Sequence, residues 1–110
     1  MRDLRYGIEI EMTGLSRGKA AETLAGFFGT RAEHTGGGYD AYAVRDAQGR
    51  VWKIVSDGSI QTQKKVRGQT VAADSTYSVE LVSPVCVYED IGTIQEIVRA
   101  LRRNSALVND

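Results

Sequence analysis

Apolar and polar positions alternate at two different periods along this chain, and the switches between them mark out its elements. Residues 4–12 alternate around Tyr6-Gly7-Ile8-Glu9-Ile10-Glu11-Met12, which is the period of a strand. Thr13-Gly14-Leu15-Ser16 breaks the run, and Ser16 is placed to cap a helix in which Ala20, Ala21, Leu24, Phe27 and Phe28 recur at helical spacing before Gly29 stops it. A short strand over 30–35, a mobile connection at Gly36-Gly37-Gly38 and a strand over 41–46 follow. The turn Asp46-Ala47-Gln48-Gly49 returns the chain into Val51-Trp52-Lys53-Ile54-Val55 as a hairpin. Polar residues 61–75 read as a loop or a ragged edge strand, and Tyr77 to Val82 as a last strand stopped by Pro84. Ile91, Ile94, Ile97, Val98 and Leu101 then trace an amphipathic helix. Glu89 and Asp90 lie in its first turn and Arg99, Arg102 and Arg103 near its end, the order the helix dipole favours. The pattern predicts an α+β domain, an antiparallel or mixed sheet with two helices packed on its apolar face.

Composition narrows the function classes. At 110 residues the chain has room for one domain and one core, and its 42% apolar and 25% charged content is that of a folded globular protein. Fourteen basic residues balance fourteen acidic ones, so no global field draws it to nucleic acid or to an anionic membrane. The single cysteine, Cys86, forms no internal disulfide and offers no metal-ligand spacing; it reads as a small buried apolar residue. No apolar run is long enough for a bilayer, and the start Met-Arg-Asp-Leu-Arg lacks a leader's hydrophobic stretch, so a cytoplasmic location is expected.

The candidate chemistry is acidic. Glu9 and Glu11 share one face of their strand, roughly 7 Å apart, and a magnesium ion or basic side chains would relieve their repulsion. Lys53 and Asp57 share one face of the Val51 to Asp57 run, and Glu80 falls opposite Val79 and Leu81, so all five can converge on the open side of the sheet. Carboxylates with one lysine have the composition of a metal-nucleotide site. Each piece also has an ordinary reading: a wetted sheet face, an exposed ion pair, an Asp-Gly turn at Asp57-Gly58-Ser59, a strand meeting a breaker at Pro84.

In this order the stretches Tyr6-Gly7-Ile8-Glu9-Ile10-Glu11, Trp52-Lys53-Ile54-Val55-Ser56-Asp57-Gly58-Ser59-Ile60 and Val79-Glu80-Leu81-Val82-Ser83-Pro84 resemble the N-terminal part of the amidoligase family, carboxylate-amine ligases related to glutamine synthetase and glutamate-cysteine ligase. The resemblance implies a glutamine synthetase-like catalytic half-domain whose acidic face binds Mg2+ and ATP. There a carboxylate is phosphorylated and an amine captures the acyl phosphate. It implies Glu9, Glu11 and Glu80 as metal ligands and Lys53 and Asp57 as catalytic groups, Lys53 toward phosphate. Ser59 and Ser83 would meet nucleotide or substrate. Ligases of this type continue into a Gly-x-His-x-His stretch, which the only histidine, His34, cannot supply. The expectation is therefore the N-terminal part of a longer catalytic domain, incomplete for catalysis and able to form homo-oligomers through an open sheet edge. The alternative is a non-catalytic binding or scaffold module of the same fold.

One further stretch, Gly14-Leu15-Ser16-Arg17-Gly18-Lys19-Ala20, follows a strand and opens a helix as a P-loop does. It has one residue too few between its glycines and Ala20 where a hydroxyl is needed, so it reads as a capped helix start with Arg17 and Lys19 exposed. His34 reads as a surface histidine.

Overall fold

Alternation along four strands carries Met12, Val44, Trp52, Ile54, Val79 and Leu81 to one side of a sheet, each no more than 1% exposed. A computed structural model describes residues 4–108. In chain order the elements are β1 (Arg5–Tyr6), β2 (Glu9–Thr13), α1 (Arg17–Phe28), β3 (Ala32–Gly36), β4 (Ala41–Arg45), β5 (Val51–Val55), β6 (Gln63–Val66), β7 (Gln69–Ala72), β8 (Val79–Val82), β9 (Cys86–Val87), α2 (Ile91–Arg103) and β10 (Leu107–Val108). The main sheet has six strands in the order β10-β2-β8-β5-β4-β3, and its neighbours pair antiparallel throughout. Helix α1 covers β3, β4 and β5, and α2 packs beside it. Ala20, Ala21 and Leu24 of α1 meet Ile97 and Leu101 of α2 in one buried cluster with the sheet. Of the apolar stripe on α2, Ile91 is exposed at the helix start. The α+β class with two helices on the apolar face holds.

The caps are local and stand where the sequence puts them. The Ser16 hydroxyl accepts from the Lys19 backbone N–H at 3.1 Å, and Gly29 closes α1 in the left-handed conformation with φ 72°.

Three expectations are corrected. The alternation over 4–12 is not one strand, because the Ile8 N–H leaves the ladder to donate to the Ser83 hydroxyl at 2.9 Å while Ser83 N–H donates to the Ile8 carbonyl at 3.0 Å. Both chains leave the sheet at that point and pair again as the separate β1–β9 ribbon. Tyr77 belongs to a short 3-10 turn over Ser75–Tyr77, so β8 starts at Val79. The polar stretch 61–75 holds a two-stranded ribbon of its own, β6–β7, closed by Arg67 and Gly68 with φ 52° and 80°, the positive angles of a tight hairpin turn. Leu107–Val108 adds the edge strand β10 to β2, a pairing that nothing in the local pattern announces. Gly14, φ 92°, makes that closure possible, since a Cβ there would run into the Ser105 carbonyl oxygen and Leu107.

A charged network ties the β4–β5 turn to the start of α2. Arg50 donates from Nη1 and Nη2 to both carboxylate oxygens of Asp90 at 2.9 Å and from Nε to Asp46 at 2.8 Å. Asp46 also accepts from the Trp52 indole at 3.0 Å and from the Gln48 and Arg50 backbone at 2.9 Å. Burial pushes the Asp46 carboxyl up, but the bonds from Trp52 and Arg50 outweigh it and hold it below its ordinary value. Asp90 is held low by Arg50 first and by the Val87 N–H as well, and the Arg50 guanidinium is held more firmly protonated by Asp90 and Asp46.

Replacing Arg50 with alanine leaves two buried carboxylates without their cation, and should lower stability by roughly 3 kcal/mol at neutral pH in urea unfolding. Because both acids have depressed values in the fold, the stabilisation is present above the unfolded value of 3.8 and is lost as pH falls through the folded values. The deficit of the Arg50→Ala variant should therefore shrink in acid. A Gly14→Ala variant should lose roughly 1–3 kcal/mol from backbone strain alone, read from the same unfolding curves.

Candidate functional site

The antiparallel register decides which open-face side chains become neighbours. Glu11 of β2 stands directly opposite Glu80 of β8, and Glu80 stands opposite Val55 of β5. One pair along, Glu9 stands opposite Val82, and Val82 opposite Lys53. Glu9, Glu11 and Glu80 thus form a compact acidic triangle on two adjacent strands, and Lys53 lies one strand further across. Two strand spacings, roughly 10 Å, separate the Lys53 and Glu9 backbones.

Asp57, two residues beyond β5, completes the group. The Ser78 hydroxyl, 4% exposed, accepts from the Asp57 N–H at 2.8 Å and donates to the Asp57 carbonyl at 2.6 Å, which fixes this turn against the start of β8. The Asp57 carboxylate in turn accepts from the Ser59 N–H at 2.9 Å and the Ser59 hydroxyl at 2.8 Å, the short-range pattern of an Asx turn. Ser78 is held from below by Arg17, whose Nη1 donates to the Ser75 carbonyl at 2.7 Å and the Ser78 carbonyl at 2.9 Å. The Arg17 Nε and Nη2 also reach Asp40 at 3.0 and 2.9 Å, and Asp40 bonds His34 at 2.6 Å. The expectation of an exposed Arg17 is therefore overturned: it is 7% exposed, because the carbonyls at the end of the 3-10 turn need a multivalent donor. Lys19 is exposed. His34 lies at the surface, stacked on Tyr42 at a centroid distance of 4.3 Å, and Cys86 is fully buried.

Electrostatics bear the imprint of the clustering. The Glu80 carboxyl is raised above its ordinary value, first by burial and then by the charges of Glu9, Asp57 and Glu11, with a hydrogen bond to Glu9. Asp57 is lowered, first by the Ser59 backbone N–H and then by the Ser59 hydroxyl, and it shares a hydrogen bond with Glu11. Glu9 and Glu11 from β2, Glu80 from β8 and Asp57 from the turn after β5 therefore lie near enough for Glu80 to feel the other three charges. All their donors are oxygen, the chemistry a hard divalent cation takes. Among the described residues no three His, Cys, Asp or Glu side chains are spaced to hold a metal ion as they stand.

The other residues singled out by sequence are placed as follows. Ser59 flanks the cluster with its hydroxyl on Asp57. Ser83 takes the Ile8 N–H and donates to the Pro84 carbonyl at 2.8 Å, so its hydroxyl serves the strand junction. Lys53 is exposed, and among the described residues no carboxylate forms an ion pair with it. Beside the cluster runs a cleft of about 380 Å³ bounded by Glu11, Ser59, Gln61, Gln63, Leu107 and Val108. Gln63 closes its floor by accepting from the Gly14 N–H at 2.8 Å through its carbonyl. Sequence reading missed this cleft, Ser78 and the buried role of Arg17.

Replacing Glu80 with glutamine keeps the shape, lets the amide donate to Glu9 and removes a desolvated charge. Since Glu80 is raised in the fold, its ionised form destabilises most above the folded value and not at all well below 4.5. The Glu80→Gln variant should melt a few degrees higher than the parent at pH 7 and lose that gain as pH falls below the carboxylate range, as thermal unfolding by circular dichroism will show.

Among the described residues no helix is long and apolar enough to cross a membrane. No curated protein and no solved structure matches the chain. A family model described as "Putative amidoligase enzyme" matches residues 2–110. That span takes in both acidic strands, the Asp57 turn and the cleft, and the chain belongs to this amidoligase family.

Proposed function

We propose that the acidic sheet face serves an ATP- and Mg2+-dependent carboxylate-amine ligase working through an acyl phosphate, on a glutamine synthetase-like sheet. The observation that carries this reading is the register that sets Glu11 opposite Glu80 on one open face with Glu9 and Asp57 near by, where burial and then these charges raise Glu80. Proteins seldom assemble such mutual repulsion on a wetted face without a cation to offset it. Glu9, Glu11 and Glu80 would be the residues to hold Mg2+, and the ion would supply positive charge for the ATP phosphates at this face.

The chain's own groups then divide the work. Lys53, one strand across from Glu80 and without a carboxylate partner among the described residues, neutralises charge on the transferring phosphoryl group. An oxygen of the acid substrate attacks the γ-phosphorus, the bond to the β,γ-bridging oxygen breaks, and ADP leaves. The resulting acyl phosphate is attacked at carbon by the amine, and phosphate departs as the amide forms. Asp57, fixed by Ser78 behind it and by Ser59 in front, orients the reacting groups. Ser59 is the nearer of the two serines to the reaction, since the Ser83 hydroxyl is occupied by the strand junction.

Several millimolar ATP with Mg2+ should raise the melting temperature of the purified chain, by the equivalent of about 1 kcal/mol at five times Kd. Excess EDTA should abolish the shift, and so should replacing Glu9 and Glu11 together by glutamine. An unchanged melting curve with Mg2+ and ATP overturns the ligase reading in favour of a scaffold with a solvated acidic face.

A further inference from the structure

We infer that two copies of this chain associate by exchanging the β6–β7 ribbon, the basic tip of each seating in the cleft beside β2 of the other. Residues 58–73 hold Lys64, Lys65 and Arg67 and no acid, in a chain whose net formal charge is zero. Lys64 lies over the Tyr77 ring at 5.6 Å, while Lys65 and Arg67 are exposed. Among the described residues no carboxylate forms an ion pair with any of the three. The ribbon has no core of its own: β7 is exposed throughout, and Val66 and Val71, 45% and 37% exposed, share one of its faces. A two-stranded ribbon alone is marginal in water, and both edges of this one are open to a partner.

The cleft has the complementary make-up. Glu11 is the one ionisable side chain lining it, Ile60, Leu107 and Val108 give it an apolar wall, and no lysine or arginine lines it. Glu11 stands opposite Glu80, so a cation arriving here is drawn by more than one carboxylate. The tip Lys65-Val66-Arg67 sets one apolar side chain between two cations, and the cleft sets an apolar wall beside an acid. Val66 of one copy lies along Leu107 and Val108 of the other, and the Arg67 guanidinium reaches Glu11.

Position assigns the seat to a second copy. None of residues 64–72 lines the chain's own cleft. Gln63 stands in the cleft wall and roots the ribbon there, its N–H donating to the Thr13 hydroxyl at 2.8 Å and its carbonyl accepting from the Gly14 N–H at 2.8 Å. The strand that starts at Gln63 carries Val66 roughly 10 Å further on. Because arm root and cleft adjoin, one two-fold axis near Gln63 brings both tips to both clefts, a reciprocal contact that closes at two chains. An acidic polypeptide laid along the ribbon satisfies the arm alone, whereas a second copy satisfies arm and cleft together. The seat is on the β10 side of β2, away from Lys53, so the contact stands apart from the ligase reading.

Sedimentation velocity of the purified chain tests the exchange. At roughly 100 μM and low salt a dimer is expected. Raising NaCl from about 50 to 500 mM should weaken it about tenfold, since its charged contacts are screened. The double change Lys65→Glu with Arg67→Glu, on the exposed tip, should leave the melting curve in place and give a monomer. A second chain carrying Glu11→Lys with Gln61→Lys should also be a monomer. An equimolar mixture of the two should sediment as a dimer, because the reversed arm then meets the reversed cleft and the native arm the native cleft. Should the cleft variant unfold, a spin label on Val66→Cys reads the seat in unaltered clefts, Cys86 being buried. Mixed with 15N-labelled parent chain, it should broaden the amides of residues 59–61 and 107–108. A monomer at that concentration in low salt overturns the inference, and one whose ribbon amides shift with poly-L-glutamate gives the arm to an acidic polypeptide instead. A dimer that the tip change leaves intact, a mixture that stays monomeric although both variants fold, or broadening confined to amides outside the cleft overturns it as well.

Discussion

The pairing of β2 with β8 is the constraint on which the rest depends. Its apolar half is secured by Ile10 opposite Leu81 and Met12 opposite Val79, side chains packed under the helices. A strand with one buried face cannot slip by one residue without turning that face to water, so the register is fixed by the core. The same register forces Glu11 against Glu80 on the other side. The hydrophobic effect sets the geometry, and the carboxylates accept the repulsion that follows.

Two arginine-centred networks hold this arrangement from behind. Arg50 joins the β4–β5 turn to the start of α2 through Asp46 and Asp90, fixing the helix layer over the sheet. Arg17 gathers the Ser75 and Ser78 carbonyls at the foot of β8, and Ser78 passes that rigidity to Asp57. Each network uses the planar, multivalent donor set of arginine to satisfy several buried acceptors at once. The acidic face is thereby built on strands and a clamped turn, the kind of support that keeps charged groups in place without a ligand.

Much of the fold was legible because its signals are local. Ser16 and Gly29 bracket α1 by cap chemistry, Asp46 to Gly49 makes the hairpin turn, and strand alternation assigns Glu9, Glu11, Lys53 and Glu80 to the face away from Trp52, Ile54 and Leu81. What was not legible joins residues far apart in the chain. Arg50 meets Asp90 forty positions later, Gln63 crosses over Thr13 and Gly14, and Leu107 and Val108 return to the edge of β2. Polar residues 61–75 carry no periodic apolar signal, so their ribbon depends on a turn with two positive φ angles that the sequence marks only by Gly68.

By itself, then, the sequence determined the two helices, the main strands, the side their residues face and the oxygen ligands of the candidate site, since these follow from dihedral preference and from a side-chain period of two or 3.6. The tertiary structure alone decided which carboxylates stand opposite each other, that Arg17 and Ser78 stand behind Asp57, and that a cleft opens beside Glu11. The physical reason is that strand order and register arise from burying all the apolar faces together, a condition on the whole chain that no single stretch contains.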